Sequence, residues 1–223
     1  QFNNCNTEQQ WVYAKRVLRY VIGTKKLGLK YCKNKNINIE GYVDADWCND
    51  VNDRKSYSGY CYTLSGSVSI EGYVNTDWCN DVNDRKSYSG YCYTLSGSVI
   101  SWSCSKQKCI TLSSTEAEYV AISEACKEAV YLRNLQHEVT KRMYNITLYN
   151  DSMSAQKLLL NPVFHNKTKH IDVRYHYCRE IINENIVSVK YLCTSDIPAD
   201  LLTKSLSAVK HHKHLNSLGI IEV

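Results

Sequence analysis

The chain contains a tandem repeat of 31 residues, and this repeat limits how the chain can fold. Residues 39–69 and residues 70–100 are identical at 28 of 31 positions. Two copies are too few for a solenoid, which needs at least three repeats. Two nearly identical segments are therefore able to fill the same place in the fold. The copies differ at three paired positions: Asp44 and Asn75, Ala45 and Thr76, and Ser69 and Ile100.

Each copy has the pattern of a strand, a polar loop and a second strand. The first strand covers residues 42–47 in the first copy and 73–78 in the second, and the second strand is the segment GYCYTLSG. The second copy runs directly into residues 99–104, with the sequence VISWSC. They predict a third strand beside the second.

Helical and strand patterns alternate in the rest of the chain. Apolar residues at helical spacing predict a helix over residues 8–23, and Ser113 or Ser114 is expected to cap a long helix that ends near Val139. The remaining predicted elements are a strand at 146–150, a short helix before Asn161, a helix at 171–183, a strand at 186–192 and a helix after Asp196. This order predicts an α/β fold with a mixed sheet whose first three strands form a meander.

Composition excludes several classes of protein. With 223 residues, 43% hydrophobic and 22% charged, the chain is long and apolar enough for one domain, or one domain plus a fragment. No apolar run reaches the ~18–20 residues of a membrane span, and the N-terminus lacks a signal pattern. The eleven cysteines are odd in number and form no CxxC pair. They are expected to be free thiols rather than disulfides or zinc ligands.

The positive charge is concentrated at the N-terminus. Residues 1–38 carry a net charge of +7, whereas the remaining residues carry −2. The basic segment is suited to contact phosphates, or it is simply a solvated helix face. Composition alone does not make the rest of the chain a nucleic-acid clamp, so its function is expected to depend on particular sites.

Glu118 lies on the apolar stripe of the long helix. At 100° per residue it shares a face with Ala121 and Ile122, whereas Glu116 points about 160° away toward solvent. An unpaired buried carboxylate is costly, so Glu118 is expected to need a cation. The alternative is a glutamate at the edge of the stripe that reaches solvent near the helix N-terminus.

Other acids occur where ligands commonly bind. Asp44 and Asp46 share one face of a strand, where acids are uncommon. Asp151 ends a strand at its carboxyl end, and the alternative is that it caps the next helix, which is a common role for aspartate. Asp200 lies in the first turn of the last helix, where an acid also favours the helix dipole. Together these acids predict a carboxylate site for Mg²⁺, of the two-metal kind that cleaves phosphodiesters.

Five motifs occur in order over about residues 39–206: GYVDADW, SSTEAEYVA, LYNDS, NPVFHNKTKHIDVRYHYCRE and PADLLTK. Together they resemble the ribonuclease H domain of copia-type retrotransposon Pol polyproteins. The segment QWVYAKRVLRYVIGTKKLGLKY resembles the end of the preceding reverse transcriptase region. The resemblance implies a ribonuclease H-like, five-stranded mixed sheet with flanking helices, to which the duplication adds an extra β-hairpin.

The resemblance also implies an activity, which is hydrolysis of the RNA strand of an RNA–DNA hybrid. The family uses four acids and two Mg²⁺ ions, with Mn²⁺ as a substitute, to activate a water and stabilise the leaving 3′-oxygen. RNA would be selected through its 2′-hydroxyl groups. No residue is indicated for nucleic-acid binding. Carried over motif by motif, the catalytic and metal-binding acids are Asp44, Glu118, Asp151 and Asp200, with Asp77 as a further metal ligand.

The two copies differ at one of these catalytic positions. The second copy fits the first two strands without an insertion, yet it carries Asn75 where the first copy carries Asp44. Asparagine lacks the charge that helps to hold Mg²⁺, and Asp77 lies roughly 6–7 Å further along the strand, too far to substitute. We expect the second copy to fill the sheet, the first to form a peripheral hairpin, and the site to be impaired. The opposite arrangement would restore Asp44.

The expected organisation follows from these motifs. Residues 1–38 form a helical tail of the reverse transcriptase region, 39–69 a duplicated hairpin segment, 70–206 the ribonuclease H-like domain and 207–223 a C-terminal tail. The expected partners are an RNA–DNA hybrid and the rest of the Pol polyprotein, without a membrane. The expected location is intracellular, in a cytoplasmic virus-like particle.

Two alternatives to a working ribonuclease stay open. The first is an inactive ribonuclease H-like module that binds nucleic acid or has a structural role. The second is an integrase or transposase of related fold, which the SSTEAEY helix and the PADLLTK motif disfavour. His165 and His170 flank a basic loop and are expected to be structural or to contact phosphate, and His211, His212 and His214 fall in the polar tail.

Overall fold

The computed structural model describes most of the chain and shows a mixed α/β architecture. The strands between residues 37 and 77 are described by their backbone. The described ranges are residues 8–31, 37–46, 58–66, 70–74, 76–77, 87–95, 97–160 and 169–223.

The described elements are six helices, ten strands and one 3₁₀ turn. The helices are α1 (Glu8–Thr24), α2 (Ser114–Thr140), α3 (Met153–Leu160), α4 (Lys169–Asn183), α5 (Asp200–Thr203) and α6 (Ala208–Ser217), and the 3₁₀ turn is Thr194–Asp196. The strands are β1 (Leu27–Leu29), β2 (Ile37–Asp46), β3 (Ser58–Gly66), β4 (Ile70–Val74), β5 (Thr76–Asp77), β6 (Tyr88–Leu95), β7 (Ser98–Lys106), β8 (Ile146–Asn150), β9 (Val187–Tyr191) and β10 (Ile220–Glu222).

Strands β2 to β9 form one mixed sheet, and β1 pairs with β10 in a second, two-stranded sheet. In the larger sheet β7 is antiparallel to β6, and β6 is antiparallel to β2. β2 then runs parallel to β8, and β8 runs parallel to β9. The predicted mixed sheet is confirmed, and its parallel part brings the carboxyl ends of β2, β8 and β9 to one edge.

Both copies of the repeat pair with the same residues of β8. Tyr42 of β2 and Tyr73 of β4 are each the partner of Tyr149, and the preceding two residues of each copy are also in the same register. A strand has two hydrogen-bonding edges, and β9 also pairs with β8. The first strands of the two copies are therefore alternative neighbours of β8, since three strands cannot all be seated on it.

Helix α2 begins and packs as its sequence predicts. Ser113 is the N-cap, and its hydroxyl accepts a hydrogen bond from the Glu116 backbone N–H at 3.2 Å. Because the apolar stripe of α2 faces the sheet, every predicted member of that stripe is buried. The main core is formed between this stripe and the strands, and includes Tyr93, Ile122, Ala125 and Leu148.

The opposite face of the sheet is covered by the chain that follows β9. Cys92 and Val99 point to this face and form a second core with Ile197, Ala199 and Leu218. Side chains alternate along a strand, so Cys92 contacts one core while its neighbour Tyr93 contacts the other. This second core holds the segment that contains Asp200 against the sheet.

A strand near the N-terminus pairs with a strand at the C-terminus, which the sequence did not predict. β1 is antiparallel to β10, and the backbone N–H groups of Lys30 and Val223 donate to Gly219 and Lys26, at 3.0 and 2.9 Å. Residues 207–223, expected to be a tail, thus include α6 and β10. Periodicity alone does not reveal a strand of three residues whose partner lies almost two hundred positions away.

Gly219 is required at the turn between α6 and β10. Its φ of +67° is a left-handed conformation, and a Cβ there would meet the Ser98 hydroxyl and the Gly97 carbonyl. We expect Gly219→Ala to lower the free energy of unfolding by about 1–3 kcal/mol, measured by urea denaturation. Gly23→Ala is the matched control because nothing lies within 4 Å of its added methyl. Equal losses in both variants would contradict this interpretation.

Candidate functional site

The candidate site begins at the carboxyl end of β8. Ile146, Leu148 and Asn150 alternate along this strand and are all buried, so they share its core-facing side. Asn150 is fully buried, although it is polar. The strand ends there, and Asp151 follows at the edge where parallel strands commonly present ligand-binding residues.

Glu118 is held by Asn150. The Asn150 Nδ2 group donates a hydrogen bond of 2.8 Å to Glu118 Oε2, and the glutamate is only 3% exposed. The alternative in which Glu118 reaches solvent is therefore wrong. Asn150 supplies a neutral partner for this oxygen, because an amide N–H also satisfies a buried carboxylate oxygen. The cation expected from the sequence stays a prediction.

Glu116 has a different role, as the helix periodicity predicted. Its Oε2 atom accepts the backbone N–H of Leu112 at 2.7 Å, while its own N–H donates to Ser113. This reciprocal arrangement satisfies two donors at the start of α2, in the manner of a capping box. The choice of Glu118 over Glu116 as the inward-facing acid is confirmed by their positions.

Asp151 does not cap the following helix. Ser152 has that role, because its hydroxyl accepts the backbone N–H of Ala155 at 3.2 Å. Asp151 Oδ2 instead accepts a hydrogen bond from Thr194 Oγ1 at 2.6 Å. Burial raises the pKa of Asp151 and the negative charge of Asp200 adds to that effect, whereas Thr194 and the positive charge of Lys204 oppose it.

Asp200 begins α5 and lies close enough to Asp151 for their charges to interact. It is 6% exposed, and its Oδ1 atom contacts Lys204 Nζ at 2.9 Å. Its position in the first helical turn is as predicted. The lysine one turn later places a cation beside two carboxylates, which reduces their mutual repulsion.

His214 is buried beside this cluster, although the sequence placed it in a polar tail. It lies on the inner side of α6 and is 1% exposed. Burial lowers the pKa of His214, and the charge of Asp200 acts in the opposite direction. His211 and His212 lie on the same helix, where burial lowers the pKa of His211, and their rings are 6.0 Å apart.

The backbone register relates Asp44 to this edge. Tyr42 pairs with Tyr149, and Asp44 and Asp151 each lie two residues further along their parallel strands. In the second copy Val74 pairs with Asn150, and the next residue, Asn75, lies outside the described residues. Asp77 is in β5, where its backbone is paired with that of Asp46.

The three acids with described side chains lie near the end of β8 without forming a closed metal cage: Glu118 contacts Asn150, and Asp151 and Asp200 interact through their charges. Among the side chains that the structure describes, no three histidine, cysteine or acidic groups are spaced closely enough to hold a metal ion. The predicted site has a fourth acid, and the strands that carry Asp44 and Asp77 are described by their backbone alone. His165 lies outside the described residues, and His170 lies in the first turn of α4.

The site contains residues that the motifs did not single out: Asn150, Thr194, Lys204 and His214. Asn150 has a sequence signal, because it is the one polar residue among the alternating inward positions of β8. Lys204 also has one, since it lies four residues after Asp200, at the C-terminal end of α5. Thr194 has none, because its contact depends on how the turn after β9 reaches the end of β8.

Comparisons with known proteins identify the family. The chain is 43% identical over 197 residues to the retrovirus-related Pol polyprotein from transposon TNT 1-94 of Nicotiana tabacum, which covers 88% of this chain. It is 32% identical over its whole length to the corresponding polyprotein from transposon RE2 of Arabidopsis thaliana. The chain corresponds to one part of a retrotransposon Pol polyprotein. It spans 12% and 13% of the lengths of these two relatives.

Further comparisons complete the description of this Pol segment. It is 35% identical to the secreted RxLR effector protein 161 of Plasmopara viticola over 71% of that protein. No protein-family model matches the chain. In the part of the Pol segment that the structure describes, no helix has the length and apolar character of a membrane span.

The raised pKa of Asp151 predicts a pH-dependent gain on its replacement. An acid whose pKa is higher in the folded state destabilises the fold once the pH rises above its unfolded pKa, near 4. We expect Asp151→Asn to raise the free energy of unfolding at pH 7 by about 0.5–2 kcal/mol, the size that single stabilising substitutions commonly give. The gain should disappear at pH 3. Denaturation at both pH values tests this, and equal changes at both would contradict it.

Proposed function

We propose that this Pol segment is a ribonuclease H-type endonuclease that cleaves the RNA strand of RNA–DNA hybrids with divalent metal ions. The observation that carries the proposal is the grouping of Glu118, Asp151 and Asp200 around the carboxyl end of β8. These are three of the four acids that the motifs indicate. The strand path β7–β6–β2–β8, with β9 beyond it, supports the five-stranded mixed sheet of that family.

The carboxylate oxygens at this edge of the sheet are suitable ligands for Mg²⁺. Mg²⁺ prefers carboxylate oxygens, and two of the three acids are almost fully buried. At Asp151 the positive charge of Lys204 outweighs the negative charge of Asp200, yet burial still leaves the pKa of Asp151 raised. A divalent cation would offset more of the cost of burying this carboxylate. Two bound Mg²⁺ ions, or Mn²⁺ in their place, would supply activation of a water and stabilisation of the leaving 3′-oxygen.

A polar cavity supports a polyanionic substrate. The cavity has a volume of about 310 Å³ and lies between β6, β7, α2 and α4. Its charged lining residues are Lys106, Lys108, Lys127 and Arg174, opposed by Glu124. The net positive charge of this wall suits the phosphates of a nucleic acid. The N-terminal basic segment adds the exposed Lys15, Arg16 and Arg19 on α1, for which a solvated helix face stays the alternative.

Which copy supplies the fourth acid decides whether the proposed site is complete. β6, the second strand of the second copy, pairs along its whole length with β7, and β3 of the first copy pairs with β7 at Gly59 and Cys104. The first strand of either copy, β2 or β4, pairs with β8. If β2 is the strand that pairs with β8, Asp44 has the register that corresponds to Asp151. If β4 pairs with β8 instead, the residue equivalent to Asp44 is Asn75, and the fourth acid is missing.

The cleavage of a labelled RNA–DNA hybrid in Mg²⁺ tests this proposal. If β2 is seated, we expect activity in the parent chain, and Asp44→Asn should reduce it by about 10²-fold or more, since disturbed metal ligation alone costs 10–100-fold. If β4 is seated, we expect an inactive parent that gains activity with Asn75→Asp. Asp46→Asn is the matched control for a charge change in the same strand.

Two results would contradict the ribonuclease proposal. One is a chain that stays inactive with Asn75→Asp while it remains folded, and the other is activity that survives Glu118→Gln. An inactive but folded chain that still binds the hybrid would favour the second candidate, a nucleic-acid-binding module of a decayed element. The pairing of Val74 with Asn150 is the observation that favours this candidate, because Asn75 follows Val74 in the sequence.

The cellular setting is part of the proposal. The relatives are Pol polyproteins about eight times as long as this chain, so the proposed partners are the hybrid and the remainder of such a polyprotein. The segment would then act inside a cytoplasmic virus-like particle, where the RNA template and its DNA copy coexist. Residues 1–38 would be the tail of the reverse transcriptase region, ahead of the ribonuclease region.

A further inference from the structure

Thr194 contacts a candidate metal ligand from a separate part of the chain. It begins the 3₁₀ turn after β9, and its Oγ1 atom donates to Asp151 Oδ2 at 2.6 Å. This distance is typical of a hydroxyl bound to an ionised carboxylate, which is stronger than a bond between neutral groups. Thr194 is not one of the acids that the family motifs indicate.

The sheet fixes the two residues beside each other. β9 is parallel to β8 with Tyr191 opposite Asn150, and the backbone N–H of Leu192 donates to the Asn150 carbonyl at 3.1 Å. The residues that follow both strands therefore emerge at the same edge. Asp151 comes directly after β8, and Thr194 comes after the last paired residue of β9.

The turn that carries Thr194 is anchored on its other side. The Asp196 backbone N–H donates to the Cys193 carbonyl at 2.9 Å and closes the turn. Lys213 of α6 donates to the Ser195 carbonyl at 2.9 Å and contacts Asp196 Oδ1 at 2.5 Å. Threonine is also stiff at χ1, since it is branched at Cβ. The hydroxyl of Thr194 is consequently directed by several local contacts.

Asp151 depends on this contact for its orientation. Among the described side chains, Thr194 is the one that donates a hydrogen bond to the Asp151 carboxylate, and it engages only Oδ2. The carboxylate of an aspartate otherwise rotates about χ2 in a broad well. Metal coordination requires ligand atoms within about 0.5 Å of their ideal place. Because the Thr194 hydroxyl holds Oδ2, the plane of the carboxylate is fixed and Oδ1 points in one direction.

We propose that Thr194 is a positioning residue, whose hydroxyl orients the Asp151 carboxylate for binding a divalent cation. This role rests on the function proposed above, because it requires Asp151 to be a metal ligand. It assigns a task to a residue outside the acid motifs, and it explains why the turn after β9 is tied to the end of β8. Thr194 itself neither binds the metal nor contacts the substrate in this account.

The test measures the binding of Mg²⁺ alone by calorimetry, in the full chain carrying Asn75→Asp so that both copies have an acid. We expect Thr194→Val, which keeps the shape of the side chain, to weaken Mg²⁺ binding about tenfold, as loss of a ligand's hydrogen-bond partner typically does. Thr194→Ser should restore the affinity to within about twofold, since the donor returns. Ser195→Ala, in the same turn, should leave it unchanged.

The ¹³C chemical shift of the Asp151 carboxyl carbon, recorded without metal, separates this role from the proposed function. We expect the shift to change in Thr194→Val and to return in Thr194→Ser. Unchanged Mg²⁺ affinity in Thr194→Val, or an equal loss in Ser195→Ala, would overturn the positioning role and leave the ribonuclease proposal standing. Absence of Mg²⁺ binding in the Asn75→Asp chain would overturn the metal site and the role of Thr194 with it.

Discussion

The parallel pairing of β8 with its neighbours determines where the candidate site lies. β8 is short, and its register against β9 places the residues after both strands at one edge of the sheet. The same register aligns the first strand of either repeat copy with Tyr149. Since a strand has only two edges, this pairing both gathers the candidate acids and forces the two copies to compete for one place.

The burial of Glu118 shows how the fold tolerates an acid in its core. The glutamate lies on the stripe of α2 that packs against the sheet, and the amide of Asn150 satisfies one of its oxygens. Asp151 and Asp200 are partly compensated by Thr194 and Lys204. Such a cluster is unfavourable for stability, as the raised pKa of Asp151 indicates. Carboxylates kept together in this way are typical of a site that serves a ligand.

The sequence predicted most elements because their patterns are local. The stripe of α2, its Ser113 cap and the strand that ends before Asp151 all follow from periodicity and capping. The pairing of β1 with β10 and the contact of Thr194 with Asp151 were missed, because both depend on residues far apart in the chain. That the second copy, with Asn75, fills the sheet stays a prediction, since the competing copies offer almost identical side chains to β8.

The central claim is that Glu118, Asp151 and Asp200 form part of one divalent-metal centre. The most direct test adds substoichiometric Mn²⁺ to the ¹³C-labelled chain carrying Asn75→Asp and follows the carboxyl signals, which a paramagnetic ion broadens when it is near. The account predicts that these three signals broaden first, while that of Asp196, an exposed acid paired with Lys213, stays sharp. Equal broadening of Asp196 and the three site acids would contradict a specific centre.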